Sequence, residues 1–493
     1  MRSRTGGVES HVYMLSQRLL ARGWSVVVIS HLYPPPASAS ASKHSHPRDQ
    51  APRAGVRWLS GGLRVYYIPL QPIPPVSAHA TLPQYFACLP LIRNILLRER
   101  PQIVHTQGAL TSLGLEALMH QASKQSSKEE VGDEGIRIRT VFTDHSLFAF
   151  GAVGAMFGNK VLQGVLADTD ACIAVSHTGK ENLVLRAGLK PENVSVIPNA
   201  LVSDQFRPHE RCEEIHYRTI VLLSRLVYRK GIDLLISAIP KLCTLDPKIK
   251  FLIEDVFICL LLEVAGEGPK TIELEQMREK YQSVLDGRVQ LVGALRHSDV
   301  RETLIKGQIY LQTSLTEAFG IGILEAASCG LYVVATRVGG VPEVLPDDGT
   351  MATWCEVDVD DVVRCVVQAV RRVREGKHVP WKSHERVRGM YDWDEVARRT
   401  EKVYEDAWAM DDVEVEERLR RYHACGVYFG KVLCIILIVQ WWCFLLLDWW
   451  NPREEIDLAG DLDVGKLAEK WMQKIVEEAA TAAERKDDIN TER

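Results

Sequence analysis

Short apolar runs alternate with helix-length stretches through the first 400 residues, and this series restarts once. Trp24–Ser30 (WSVVVIS), Val65–Ile68, Gln102–His105, Thr140–Thr143, Ala171–Ser176 and Val194–Ile197 read as strands. Val8–Arg22 places Val8, Val12, Leu15 and Leu19 on one helical face and meets Gly23 as a stop. The series begins again at Thr219–Leu226 (TIVLLSRL) and continues through Val289–Val292, Gln308–Gln312 and Leu331–Thr336. Between the two runs, Pro198–Glu214 is polar and strand-free. Alternation of this kind predicts α/β architecture with parallel sheets wrapped by helices, here as two Rossmann-like domains facing a cleft. The expected divisions are a first domain over 1–197, a linker over 198–218, a second domain over 219–390 and crossover helices over 391–425.

Composition excludes some alternatives. Hydrophobic residues make up 46 % and charged residues 25 %, so wholesale disorder does not fit. The net charge of −5 argues against nucleic acid as a partner. Eleven cysteines without a C-x-x-C pair are too sparse for a disulfide scaffold and read as buried thiols of a reducing compartment. Pro34–Pro52 and Gln121–Gly135 lack core-forming residues and read as disordered loops.

Near the C-terminus, Val432–Leu447 is apolar except for Gln440. Extended back to Gly426, the segment is long enough to cross a bilayer, at ~20 residues for ~30 Å of hydrocarbon. Trp441, Trp442, Trp449 and Trp450 cluster toward one end, as in an interfacial belt, and Lys431 lies near the other. A buried core helix is the alternative. Arg418, Arg420, Arg421 and Lys431 precede the segment, whereas Arg453 stands alone just after it. That asymmetry predicts residues 1–425 in the cytoplasm and the tail across the membrane. The tail from Asp448 holds 13 acids and 7 bases, a net −6 that leaves about +1 for the rest of the chain.

Several motifs carry chemistry. Glu317-Ala-Phe-Gly-Ile-Gly-Ile-Leu-Glu325 sets two carboxylates eight residues apart, with Gly320 and Gly322 at a helix start. Glycines there let backbone N–H groups approach an anion, and Glu325, more than a turn inside, suits a ribose diol. Two glutamates on a solvated helix face would look the same. Ser224-Arg-Leu-Val-Tyr-Arg-Lys-Gly231 follows a strand, so Arg225 and Lys230 sit where an open α/β sheet binds its ligand. They could neutralise a diphosphate, or form a plain surface patch. Thr5-Gly6-Gly7-Val8-Glu9 is a glycine loop opening a helix. Thr143-Asp144-His145-Ser146 puts a histidine at a strand end, where a structural role is equally open. Gly266-Glu-Gly-Pro269 and Gly339-Gly-Val-Pro-Glu343 read as structural turns.

In this order the motifs resemble a retaining family 4 glycosyltransferase of the GT-B fold, over roughly residues 6–410. Three longer strings, Val141–Phe148, Ser224–Leu235 and Glu325–Leu331 leading to Thr336–Pro346, narrow the resemblance. They point to members that start glycosylphosphatidylinositol anchors by moving N-acetylglucosamine from UDP-GlcNAc to phosphatidylinositol. The resemblance implies that Glu325 binds the uridine ribose and Glu317 the donor sugar. Arg225 and Lys230 would hold the diphosphate and stabilise departing UDP, and His145 would contact the transferred sugar. Gly6 and Gly7 would admit the donor phosphates, and Phe319 and Gly320 would line the donor site. It further implies no metal and no cofactor besides the donor substrate, several small membrane subunits as partners, and a single-pass position in the endoplasmic reticulum membrane. A catalytically impaired anchored subunit, or a family 4 enzyme with another lipid acceptor, would share the architecture. The joint presence of Glu317, Glu325, Arg225, Lys230 and His145 favours an active enzyme.

Two departures from the family pattern set expectations. A strand ordinarily precedes the glycine loop and is central in a sheet of order 3-2-1-4-5-6. Met1–Thr5 cannot supply it, which predicts a first domain unable to fold properly as written and a longer natural N-terminus. Two apolar runs, Lys250–Ile253 and Ile258–Val264, compete for the strand before Gly266. The second is expected to win because it joins that turn directly.

Overall fold

The structure is a computed structural model. It describes all residues except 1–6, 32–54, 70–80, 109–111, 123–136, 148–152, 211–217, 257–269, 296–298 and 460–493. The loops expected at Pro34–Pro52 and Gln121–Gly135, together with Gly6 and the Gly266–Pro269 turn, fall wholly or mostly outside the described residues.

The strands of the first domain are β1 (Val27–His31), β2 (Gly55–Leu59), β3 (Leu63–Ile68), β4 (Ile103–Gln107), β5 (Arg139–Asp144), β6 (Ala171–Ala174) and β7 (Val194–Val196). Its helices are α1 (Gly7–Ala21), α2 (Thr81–Glu99), α3 (Ser112–Ala122), α4 (Val153–Leu166) and α5 (His177–Ala187). The sheet is divided. β1, β3 and β2 form one piece and β4 to β7 a parallel second piece, with no ladder between β1 and β4 among the described residues. Ile29 of β1 and Val104 of β4 pack against one apolar cluster around Ile68, Ile92 and Leu113. The division falls where a continuous doubly wound sheet carries its central strand.

The second domain holds β8 (Arg218–Leu223), β9 (Ile249–Val256), β10 (Val289–Leu295), β11 (Ile309–Gln312), β12 (Tyr332–Thr336) and β13 (Ala352–Cys355). They form one parallel sheet of order β10-β9-β8-β11-β12-β13. Leaving short helices aside, the helices from here on are α6 (Ile232–Leu245), α7 (Thr271–Lys280), α8 (Ile321–Ser328), α9 (Val359–Arg374), α10 (Pro380–Met390), α11 (Trp393–Ala409), α12 (Val415–His423) and α13 (Phe429–Trp450).

The expected strand Ile258–Val264 is overturned, because the slot between β8 and β10 is filled by the first run instead. Ile249, Phe251 and Ile253 alternate onto the α6 side and Leu252 onto the other, all buried. A tight turn explains the choice. The Ile249 N–H donates to Asp246 O, and the Arg288 guanidinium donates to the carbonyls of Asp246, Ile249 and Cys243. The first run thus enters the sheet as soon as α6 ends.

After α10 the chain returns to the first domain. In α11, Trp393, Val396, Ala397, Val403, Tyr404 and Ala407 pack with Leu15 and Leu19 of α1 and with Val141 and Ile173 of the sheet. α13, with 22 residues, is long and apolar enough to cross a membrane. It is shifted three residues toward the C-terminus from the expected 426–447 segment, with the same length of 22 residues. One stripe, Gly430, Leu433, Gln440 and Phe444, is buried. Leu433 sits against Gly164 of α4, Gln440 donates to Met119 O (3.1 Å), and Asp448 pairs with Arg93 of α2. Val432, Ile435, Ile438, Trp442, Leu446 and Trp449 are exposed on other faces.

Candidate functional site

β8 and β11 lie side by side at the centre of the second sheet. The connections leave them in opposite directions, β8 toward β9 and β11 toward β12. This is a topological switch point, where the strand ends diverge and leave a crevice. Both expected motifs emerge there. Ser224 and Arg225 follow β8 directly, and Thr313–Gly320 connects β11 to α8.

Close packing holds the two loops together. Lys230 ends a short turn, and Gly231 follows with φ +66, where a Cβ would lie 1.7 Å from Thr313 O. Only glycine fits that approach. Thr313 Oγ1 donates to Lys230 O (3.0 Å) and the Leu315 N–H to Arg229 O (2.9 Å). As a result the Lys230 ammonium donates to a Glu317 carboxylate oxygen, both side chains being about four-fifths buried. Arg225, earlier in the same connection as Lys230, is exposed.

Gly320 (φ +89) forms the N-cap of α8, and a Cβ on Gly322 would press on the Tyr310 hydroxyl at 2.7 Å. That hydroxyl donates to Leu223 O (3.1 Å), tying the base of α8 to the end of β8. Glu325 lies in the second turn. Burial pushes its carboxyl up to about 8, with no cation offsetting it. A desolvated carboxyl of this kind gains most from a ligand that donates hydrogen bonds. Phe319 departs from expectation: its ring is buried in the core, edge-on to Tyr391 at 5.8 Å, so only its backbone belongs to the loop.

In the first domain, His145 follows β5 as expected. Its Nε2–H donates to Gln107 Oε1 (2.7 Å), and Gln107 Nε2 meets His105 Nε2 (3.2 Å). His105 continues the chain to Thr143 Oγ1 and the Tyr404 hydroxyl, each at 2.7 Å. His11 of α1 stands edge-on to His145 at 4.7 Å and to Trp393 at 5.2 Å. Burial holds all three imidazoles neutral: His11 falls to about 4, His105 to about 3 and His145 well below its ordinary value. The neighbouring imidazoles add to the depression of His105 and His145. Gln107, His105, His11 and Tyr404 escape a reading of the sequence because separate elements supply them. The one signal is the placement of His105 and Gln107 at the end of a strand-like run.

Gly7 opens α1, and a Cβ there would meet nothing within 4 Å. The protein's own packing does not require that glycine.

Comparison with known proteins agrees with this geometry. The family model "Glycosyltransferase Family 4" matches residues 5–205, and "Glycosyl transferases group 1" matches 213–370. Among solved structures, the sucrose-phosphate synthase from Thermosynechococcus elongatus superposes with a TM-score of 0.63 at 18 % identity, covering 82 % of this chain and 94 % of that one, which establishes the GT-B fold. The phosphatidylinositol N-acetylglucosaminyltransferase gpi3 subunit of Schizosaccharomyces pombe is 42 % identical over 92 % of this chain and 90 % of its own length. The phosphatidylinositol N-acetylglucosaminyltransferase subunit of Arabidopsis thaliana is 44 % identical over 93 % and 91 %. Identity at that level, across both domains and through the apolar helix, means that this chain belongs to the gpi3 family of phosphatidylinositol N-acetylglucosaminyltransferase subunits.

Proposed function

We propose that this chain transfers N-acetylglucosamine from UDP-GlcNAc to phosphatidylinositol with retention of configuration, the first step of glycosylphosphatidylinositol-anchor synthesis. The observation that carries the reading is the meeting of two loops at the switch point: one brings Lys230 and the exposed Arg225, the other brings Glu317, ion-paired to Lys230, and opens the helix that carries the desolvated Glu325 carboxyl. Glu325 accepts hydrogen bonds from the ribose hydroxyls. Arg225 and Lys230 face the diphosphate, and Glu317 and His145 the sugar. In transfer, the bond from the anomeric carbon to the diphosphate oxygen breaks and the inositol oxygen takes its place, its proton passing to the departing diphosphate. Negative charge grows on the departing UDP, where two cations stabilise the transition state more than the ground state. These side chains supply that charge without a metal, and no further cofactor enters. Gly7, at the start of α1, borders the donor phosphates from the first domain.

The acceptor is a membrane lipid, so α13 has a physical role: confinement to the bilayer raises the effective concentration of acceptor. By length α13 spans a membrane and by flanking charge it keeps the two domains on the cytoplasmic side; the endoplasmic reticulum as that membrane is what the family resemblance implies. Its relatives are named as subunits, which supports other subunits as partners; that these are small membrane proteins is what the family resemblance implies.

The test is a transfer assay on microsomes carrying this chain and its partner subunits, given labelled UDP-GlcNAc, with lipid products resolved. Glu325→Ala removes two charge-assisted hydrogen bonds, each worth ~1.5–3 kcal/mol, and should nearly abolish labelled N-acetylglucosaminyl-phosphatidylinositol. Near-normal turnover in that variant would refute the ribose assignment.

A further inference from the structure

The Gly339-Gly-Val-Pro-Glu343 turn, structural by its sequence, is where the two domains touch beside the donor loop. The Glu343 carboxylate reaches from the second domain to the start of α5 in the first. It accepts hydrogen bonds from the His177 N–H (2.6 Å), the Thr178 N–H (2.9 Å) and the Thr178 hydroxyl (2.8 Å). An anion at the positive end of a helix is favourable, and here the two partners come from different domains. Beside it, the Ser176 hydroxyl donates to Ala318 O (2.7 Å) while accepting from the Gly179 N–H (2.9 Å). Thr178 Oγ1 also lies 3.2 Å from Gly339 O.

These contacts lead straight to Glu317. The Gly340 N–H donates to Glu317 O (3.0 Å). Side chains are excluded at both glycines: a Cβ on Gly339 would lie 2.2 Å from Glu317 O, and one on Gly340 would lie 2.1 Å from Ala318 O and 2.7 Å from Ser176 Oγ. The start of α5, the Gly339–Glu343 turn and the Glu317–Ala318 loop therefore form one stack. Glu343 and Thr178 are solvent-accessible, as a contact that opens and closes must be.

We propose that Glu343, Ser176 and Thr178 form an interdomain latch: they are positioning residues that press the first domain onto the donor-sugar loop and fix Glu317 for transfer. This rests on the reading of Glu317 as the donor-sugar contact. The ribose and cation contacts, Glu325, Arg225 and Lys230, belong to the second domain, and the first domain adds only its glycine loop at the phosphates. The latch therefore acts chiefly on the transfer step and little on nucleotide affinity.

The experiment is a double-mutant cycle of Glu343→Ala and Thr178→Val in the full chain with its partner subunits. It reads kcat, KM for UDP-GlcNAc and inhibition by UDP. Glu343→Ala should lower kcat about 10-fold, the scale of one hydrogen bond to a charged group, with UDP inhibition within about twofold of wild type. Thr178→Val should lower kcat severalfold alone and add little in the Glu343→Ala background, because the two share one interaction. Wild-type kcat in Glu343→Ala overturns the latch. So does weakening of UDP inhibition in parallel with kcat, or a Thr178→Val effect that is the same in both backgrounds. Glu317→Ala, run alongside, separates the two ideas: normal turnover there removes the donor-sugar reading while the cycle still reports on the domain contact.

Discussion

Lys230 and Glu317, 87 residues apart in the chain, form a direct ion pair between the loop after β8 and the loop before α8. Each is mostly buried, so each charge is stabilised chiefly by the other. The pair fixes the spacing between the loop after β8 and the loop before α8, the two loops that we propose bind the donor.

Removing either partner strands a mostly buried charge. Lys230→Met or Glu317→Gln alone should destabilise the folded chain by ~1–3 kcal/mol. The double variant should recover part of that loss, since no unpaired charge remains. Thermal melts of the detergent-solubilised complex would check this. Additive losses would show that the pair contributes nothing to stability. Transfer should fall strongly in all three variants.

Glu325 gives the donor site a defined pH response. Its carboxyl is raised from the ordinary 4.5 to about 8, so the folded state keeps a proton that the unfolded chain releases between those values. Stability therefore declines as pH rises through that window, and Glu325→Gln should remove this decline. Ribose hydroxyls donate to the ionised form, so donor binding should drive deprotonation. KM for UDP-GlcNAc should fall as pH rises toward about 8 in the wild type and lose that trend in Glu325→Gln. A flat wild-type profile would remove the linkage between Glu325 and the donor.

Gly231 is the tightest point of the site. Its φ is +66, and a Cβ placed there would lie 1.7 Å from Thr313 O, so Gly231→Ala must push the Lys230 turn away from the Thr313–Leu315 loop. The expected outcome is loss of activity together with a lower melting temperature. Gly7→Ala, where a Cβ would meet nothing within 4 Å, should leave stability within ~0.5 kcal/mol, as for ordinary surface changes. Its effect on KM for the donor then reports whether the first loop approaches the phosphates.

Topology is testable through the tail. A glycosylation acceptor placed in residues 460–493 should be modified in sealed microsomes, with residues 1–425 open to protease from the cytosolic side. Crossing requires the Arg93–Asp448 pair and the Gln440–Met119 hydrogen bond to open, because both carry α13 along the first domain. An unmodified tail would mean that α13 stays docked against α2, α3 and α4.

Much of the fold is legible in the sequence because its strands are buried runs. Arg139–Asp144, Ala171–Ala174 and Tyr332–Thr336 are buried throughout, and each stands out as an apolar or β-branched stretch. β2 is not legible, because Gly55-Val56-Arg57-Trp58 is exposed and follows no alternation. The strand at β9 is misread because two equally apolar runs compete, and the choice depends on the Arg288 clamp at the end of α6. At the site, Glu317, Glu325, Arg225, Lys230 and His145 each belong to a readable local motif. The contacts between motifs do not. His177 and Glu343 lie 166 residues apart, and no local pattern marks a carboxylate that caps a helix in another domain.

The polypeptide passes between its domains twice, once from β7 to β8 and once through Tyr391 and Asp392 into α11. A body joined to another at two separate points cannot drift or tumble freely. Its easiest motion is rotation about the line through both crossings, as a door turns on a pair of hinges. Two such crossings leave the domains fewer ways to move apart than a single linker would.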